Sequence, residues 1–142
     1  MIKEFTNEYR FLSNFHISEV RFEGVKYPTI EHAFQAAKTL DKEERKMIGI
    51  ETTPGRAKRA GQRVTLREDW DKVKISIMLD LIRQKFKNDY ILKNKLLATG
   101  NQMLVEGNTW NDTFWGMDLK TNRGQNNLGK LLTKVREECM LV

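Results

Sequence analysis

From Trp70 to Phe86 the apolar residues Trp70, Val73, Ile77, Met78, Leu81 and Phe86 recur mostly three and four positions apart. A period of 3.6 puts such residues on one stripe, and a stripe of that length has to be buried. The spacing therefore predicts a long amphipathic helix from about Glu68. Leu92, Leu96 and Leu97 extend another helix towards Gly100, and Leu128, Leu131, Leu132 and Val135 mark one side of a last helix, with Asn127 as its cap. Strand signals are short by comparison. Phe22-Glu23-Gly24-Val25 suggests a tight turn joining strands at roughly 18–22 and 25–27, and Met103 to Glu106 reads as a further strand. The expected class is α+β: a helix-rich domain with a few short strands. With no repeat, low-complexity tract or dividing linker, a single domain over residues 1–142 is expected.

Two segments carry more special residues than a core requires. Between Glu106 and Gly129 the chain reads Glu-Gly-Asn-Thr-Trp-Asn-Asp-Thr-Phe-Trp-Gly, then a polar run, then Gly-Gln-Asn-Asn-Leu-Gly. Trp110 and Trp115 bracket Asp112, so flat aromatic faces that bind rings stand beside a carboxylate that works on protons or cations. The same residues also suit a packed core with Asp112 capping a turn. The second segment, Tyr27 to Lys38, reads as a helix after Pro28 with Thr29 as its N-cap. Ile30, Ala33, Phe34 and Ala37 form its apolar stripe, and Glu31, Gln35 and Lys38 a narrow polar stripe along the flank. A solvated charged face is the competing reading of that flank.

Charge points to an anionic ligand. The net charge is +6, and Arg56, Lys58, Arg59, Arg63 and Arg67 follow one another without an acidic residue among them. The alternative for this run is a plain solvated surface.

Taken in order, these blocks resemble the YbiA-like family, also called NADAR, nearly end to end. Phe11-Leu12-Ser13-Asn14-Phe15 is similar to the family's opening motif, and Tyr27 to Lys38 to its "tvEHyyQaqK" helix. Gly61, Arg67, Asp69-Trp70 and Met78 match a "G…R.DW…M" stretch. Leu96 to Gly100, Leu104, Glu106, Asp112, Trp115-Gly116 and Gly124 to Gly129 complete the series. The chain departs from the family at Met117 to Arg123, where a short glycine-containing link is common.

The resemblance implies N-glycosidase chemistry, in which a bond between ribose and a base or amine breaks through a sugar cation. Two carboxylates suit such a reaction, one to stabilise the cation and one to move a proton. Glu31 and Asp112 are the candidates, and with Trp115 they form the expected catalytic set, lining one concave pocket. Phe15 and Trp110 are further stacking surfaces, Lys38 and Arg67 candidates for phosphate, and Gly116, Arg123 and Asn126 additional substrate contacts. The expected substrate is a small phosphorylated riboside, an early riboflavin-pathway ribosylamino-pyrimidine phosphate. ADP-ribose on guanine in nucleic acid is the alternative, and a nucleic-acid or sugar-nucleotide binding module the reading without chemistry.

Several classes drop out. Gly124 to Leu131 nearly spells a phosphate-binding P-loop, but Leu131 replaces the hydroxyl residue that binds magnesium, and no apolar strand precedes it. A milder version keeps the amides at the start of the last helix, with Arg123, as a phosphate or ribose site. One cysteine, Cys139, allows no internal disulfide, and His16 and His32 form no cluster with metal-ligand spacing. No metal and no cofactor are expected. No apolar run nears the roughly 18 residues a membrane span needs, and Met1 to Phe5 lacks the apolar stretch of a signal peptide. The expected location is the cytoplasm.

Overall fold

Thr29 is extended (φ −145°, ψ 162°) and its hydroxyl accepts the His32 amide hydrogen, so the chain turns into helix α1, Ile30–Ala37, where the capping signal predicts it. Local chemistry starts the next helices in the same way. Asp41 caps α2 (Lys42–Gly49), and Thr53 caps α3 (Pro54–Gly61), with Pro54 at the first helical position where its missing N–H costs nothing. Two short strands precede α1: β1 (Val20–Phe22) pairs antiparallel with β2 (Val25–Tyr27). Both turn residues have positive φ, 47° at Glu23 and 83° at Gly24, the hairpin turn whose twist matches its strands.

The computed structural model describes residues 1–141. They group into two compact units, Asn14–Lys85 on one hand and Met1–Ser13 with Phe86 onward on the other. The long predicted helix, α4 (Trp70–Lys87), contributes to both. In Asn14–Lys85, α1 packs against α2 and α3. Ile30, Ala33, Ala37, Ile48 and Ala57 are all at most 1% exposed there, and the Phe34 and Trp70 rings meet at 4.9 Å.

The other unit holds a 3-10 helix (Asn7–Leu12), α5 (Tyr90–Ala98), strands β3 (Gly107–Asn108) and β4 (Met117–Asp118), and α6 (Asn127–Met140). Phe11 and Phe86 pack edge to face at 6.4 Å, and Leu96, Leu104, Leu132 and Val135 are buried. The class is α+β, helix-rich, with two two-stranded sheets among the described residues.

Two expectations are corrected. Met103 to Glu106 is not a strand: only Leu104 bridges, parallel to Ile2. The side of this segment away from Ile2 is taken by Asn126, whose Oδ1 accepts from Glu106 N at 3.0 Å and whose Nδ2 donates to Leu104 O, and the Glu106 carbonyl accepts from Met117 N. The cap of α6 is Asn126, one residue earlier than expected, in the left-handed region (φ 52°) and without a side-chain capping bond. Its amide group is used elsewhere, holding Glu106 N and Leu104 O. No helix among the described residues is long and apolar enough to cross a membrane.

Candidate active site

All eight residues of α1 are buried, Glu31, His32 and Gln35 included. The solvated-face reading of the polar flank therefore fails, and each polar group has to be satisfied inside the fold. Gln35 does this for Glu31: its Nε2 donates to Glu31 Oε2 at 2.7 Å, one helical turn away. The Glu31 amide donates to the carbonyl of Asn14, so the chain just before Phe15 sits at the head of α1. His32 fixes the same turn. Its Nε2 lies 2.9 Å from Glu51 O and its Nδ1 2.8 Å from Thr29 Oγ1. A carbonyl only accepts, so Nε2 carries the hydrogen and the ring ties α1 to the segment after α2.

Gln35 in turn depends on a glycine. A Cβ on Gly61 would overlap Gln35 Oε1 and stand 2.7 Å from its Cδ. Close approach of α3 thus presses Gln35 towards Glu31. Gly61→Ala should loosen that hold and lower kcat about tenfold with little change in KM, a ratio steady-state kinetics reads directly.

Lys38 follows α1 as its C-cap, half-buried. Burial pushes its pKa below the usual 10.5; Glu31 pulls it back up, and Lys58 and Lys74 push it further down. Arg67 supports the same end of the helix. Its amide donates to Lys38 O at 2.7 Å and its Nη1 to Ala37 O at 3.4 Å. Its Nε and Nη2 grip the Asp69 carboxylate at 2.6 and 3.1 Å, and the pairing holds the Asp69 carboxyl below the ordinary carboxylate range. The rest of the basic run divides: Arg56, Arg59 and Arg63 are exposed, whereas Lys58 is half-buried.

In the other unit, Asp112 is half-buried in the loop between β3 and β4. Its Oδ1 accepts the Trp115 amide hydrogen at 3.0 Å, so it does cap a turn. The second carboxylate oxygen has no partner among the described residues. Asn108, 1% exposed, braces the loop: its Oδ1 accepts from Asp112 N at 3.0 Å and its Nδ2 donates to Asp112 O at 2.9 Å. The Trp115 ring is half-buried, edge to face with Phe114 at 4.9 Å. Trp110 is 60% exposed. Gly116 is obligatory, because a Cβ there would collide with Glu106 O and stand 2.8 Å from Asn108 Nδ2.

The amides at the start of α6 are not available to an anion, contrary to expectation. Gln125, Asn126, Asn127 and Leu128 donate to the carbonyls of Thr113, Gly116, Phe114 and Trp115 respectively. The helix end thus holds the Asp112–Trp115 loop where a phosphate site was expected. Asn126 is committed as described above, and Arg123 is exposed, its carbonyl accepting from Asp118 N.

Asp112, Trp115, Gly116 and Asn126 therefore share one hydrogen-bonded framework. Glu31, Lys38 and Arg67 share another, headed by the chain around Phe15. Sequence reading missed the residues that hold each carboxylate in place, Gln35 for Glu31 and Asn108 for Asp112. Both stand four positions from the group they serve, and that spacing was the available signal. Among the described residues no three His, Cys, Asp or Glu side chains gather as a metal site.

The NADAR domain family matches residues 2–140, and the chain belongs to it. It is 38% identical over 138 residues to "N-glycosidase YbiA" of Escherichia coli (strain K12), covering 96% of this chain and 85% of that protein. It is 34% identical over 136 residues to "Riboflavin biosynthesis protein VVA0006" of Vibrio vulnificus (strain YJ016), covering 90% of this chain and 35% of that longer protein. The NMR structure of the E. coli protein YbiA superposes with a TM-score of 0.85 at 34% identity, over 99% of this chain and 88% of that one.

Proposed function

We propose that the chain is an N-glycosidase that hydrolyses the C–N bond between ribose and the amine of an early riboflavin-pathway ribosylamino-pyrimidine phosphate. The supporting observation is the buried Glu31 carboxylate, held by Gln35 on a helix that also presents Lys38. It stands in a chain whose relatives are named N-glycosidase and riboflavin biosynthesis protein.

Glu31 and Asp112 act on one substrate in this reading. Glu31 faces the developing sugar cation, where a fixed negative charge in a water-poor site lowers the barrier most. The second oxygen of Asp112 takes a proton from the attacking water. The water oxygen bonds the anomeric carbon, the C–N bonding pair leaves with the amine, the amine takes up one proton from solvent and Asp112 returns to solvent the one it took. The products are ribose phosphate and the free pyrimidine amine. Trp115 stacks on the base, with Phe15 and Trp110 as outer aromatic surfaces and Gly116 giving backbone access. Lys38 holds the phosphate. Arg67, already gripping Asp69, positions Lys38 by capping the end of α1.

Lys38→Ala should raise KM about tenfold with a smaller effect on kcat, since phosphate is held alike before and during cleavage. The sign of the pH effect follows from burial. The lowered pKa means that the folded state sheds this proton before the unfolded chain does. The burial cost is therefore present at neutral pH and relieved as pH rises towards 10.5. The cation is lost over the same window, so KM should climb on the alkaline side earlier than an ordinary lysine allows. Lys38→Arg should abolish that climb, and a KM profile unchanged by this substitution would remove Lys38 from the site.

The deciding experiment incubates purified protein with the pyrimidine intermediate and, separately, with ADP-ribosylated DNA, following release of free base or sugar. Exposed Arg56, Arg59 and Arg63 favour nucleic acid as the second substrate class. A DNA substrate would lose activity steeply with added salt, and a small phosphate ester only weakly.

A further inference from the structure

Away from the candidate site, the unit Asn14–Lys85 encloses a pocket of about 660 Å³ between the β1–β2 hairpin and α2, within the range of small-molecule sites. Lys26, Lys42, Arg45 and Lys46 line it against the single carboxylate of Glu23. Lys42 and Lys46 stand one helical turn apart on α2. The two nearest acidic residues of that helix do not neutralise them fully: Glu44 is turned to Thr39 Oγ1 at 2.6 Å and Thr65 N at 3.1 Å, and Glu43 is exposed.

Arg45 is built into the wall. Its guanidinium lies 5.0 Å over the Phe22 ring and its Nε donates to Thr39 O at 2.7 Å. Its Nη1 pairs with Glu23, while its Nη2 is buried with no acceptor among the described residues. A guanidinium held on three sides with one amino group unanswered is an incomplete anion site, since its fork matches two oxygens of one phosphate. The Glu23 side chain, 58% exposed, fills half of that fork.

The remaining walls are apolar. Tyr27 is 2% exposed, with its ring against Gly49, and Val25 and Ile50 are 52% and 68% exposed. Burial raises the Tyr27 pKa, opposed by Arg45 and aided by Glu23, so the phenol keeps its O–H as a donor. Bare phosphate would leave Val25 and Ile50 in water.

We infer that this pocket is a second ligand site, separate from the candidate active site, that takes a mononucleotide-sized phosphate monoester. The phosphate displaces Glu23 from Arg45 between Lys42 and Lys46, and the ring-bearing body covers the exposed Val25 and Ile50 side chains. The site touches both ends of α1: Tyr27 lies three residues before Ile30, and Arg45 holds Thr39 just beyond Lys38.

The test is titration of isotope-labelled full-length protein with adenosine 5′-monophosphate, adenosine and inorganic phosphate, followed by amide shifts. The monophosphate should move residues 25–27 and 42–50, and adenosine and phosphate should each bind at least tenfold more weakly. The double variant Lys42→Glu, Lys46→Glu, altered only at exposed positions, should lose tenfold or more in affinity with its unfolding midpoint unchanged. Three results overturn the inference: shifts confined to residues around Glu31 and Asp112, equal binding of inorganic phosphate and the nucleotide, or parental affinity in the folded double variant.

Discussion

Glu31→Gln and Asp112→Asn should each cut kcat about a hundredfold, the cost of losing roughly 3 kcal/mol of stabilisation present only in the transition state. Both replacements keep shape and local bonding. A glutamine at position 31 still offers an oxygen to Gln35 Nε2, and an asparagine at 112 still accepts the Trp115 amide hydrogen. What disappears is charge at the oxygens the reaction needs, so KM should change little. Single-turnover hydrolysis of the ribosylamino-pyrimidine phosphate measures this without interference from product release. If both variants fold and turn over near the parental rate, the two-carboxylate mechanism is wrong and a binding function takes its place.

Gly116→Ala should damage the fold around the site, costing on the order of 3 kcal/mol. The added methyl meets the Glu106 backbone carbonyl and Asn108 Nδ2, both already engaged, the carbonyl by Met117 N and the amide by Asp112 O. Asn108 braces Asp112 at two points, and the Gly116 carbonyl accepts from Asn126 N, so the damage spreads through the whole loop. Urea unfolding should show a lower midpoint with an unchanged slope. Gly55→Ala is the matching control. Its nearest neighbour is Thr53 Oγ1 at 4.0 Å, and the substitution should be neutral or stabilise by up to about 1 kcal/mol. Equal losses at positions 55 and 116 would show that backbone freedom, not crowding, sets the cost.

What the sequence made legible was what adjacent residues decide. Thr29 caps α1 because an extended threonine and the amide three residues on need only each other, and the Glu23-Gly24 turn is just as local. The Asp112 cap on Trp115 belongs to the same class. Long-range competition was invisible. Met103 to Glu106 has a strand's composition, but a side-chain amide twenty residues on, that of Asn126, occupies the Leu104 carbonyl and the Glu106 amide where a neighbouring strand would pair. The start of α6 resembled an anion site because its open amides could be counted, whereas the four carbonyls that fill them come from a loop whose path only the fold reveals. The flank of α1 was legible in the inward placement of Glu31 but not in what holds it there. Helical periodicity separates polar from apolar positions but cannot tell a wet polar stripe from a buried one whose groups answer one another, as Gln35 answers Glu31.

The burial of every residue in α1 also limits how this protein can be re-engineered. With no solvent-facing position, a new side chain on that helix disturbs either the core or the group that holds Glu31. The Met117 to Arg123 segment is a different case: Met117 N and Leu119 N are tied to Glu106 O and Asn108 O, and only beyond them does the turn close on itself. Asp118 accepts from the Thr121 amide and hydroxyl at 3.1 and 2.9 Å, and its carbonyl accepts from Asn122 N. The exposed stretch Lys120 to Arg123 can therefore be exchanged for one of another length, provided Met117 to Leu119 keep their pairing with Glu106 and Asn108. Changes of length and composition belong at those exposed positions, with α1 left as the invariant part of the design.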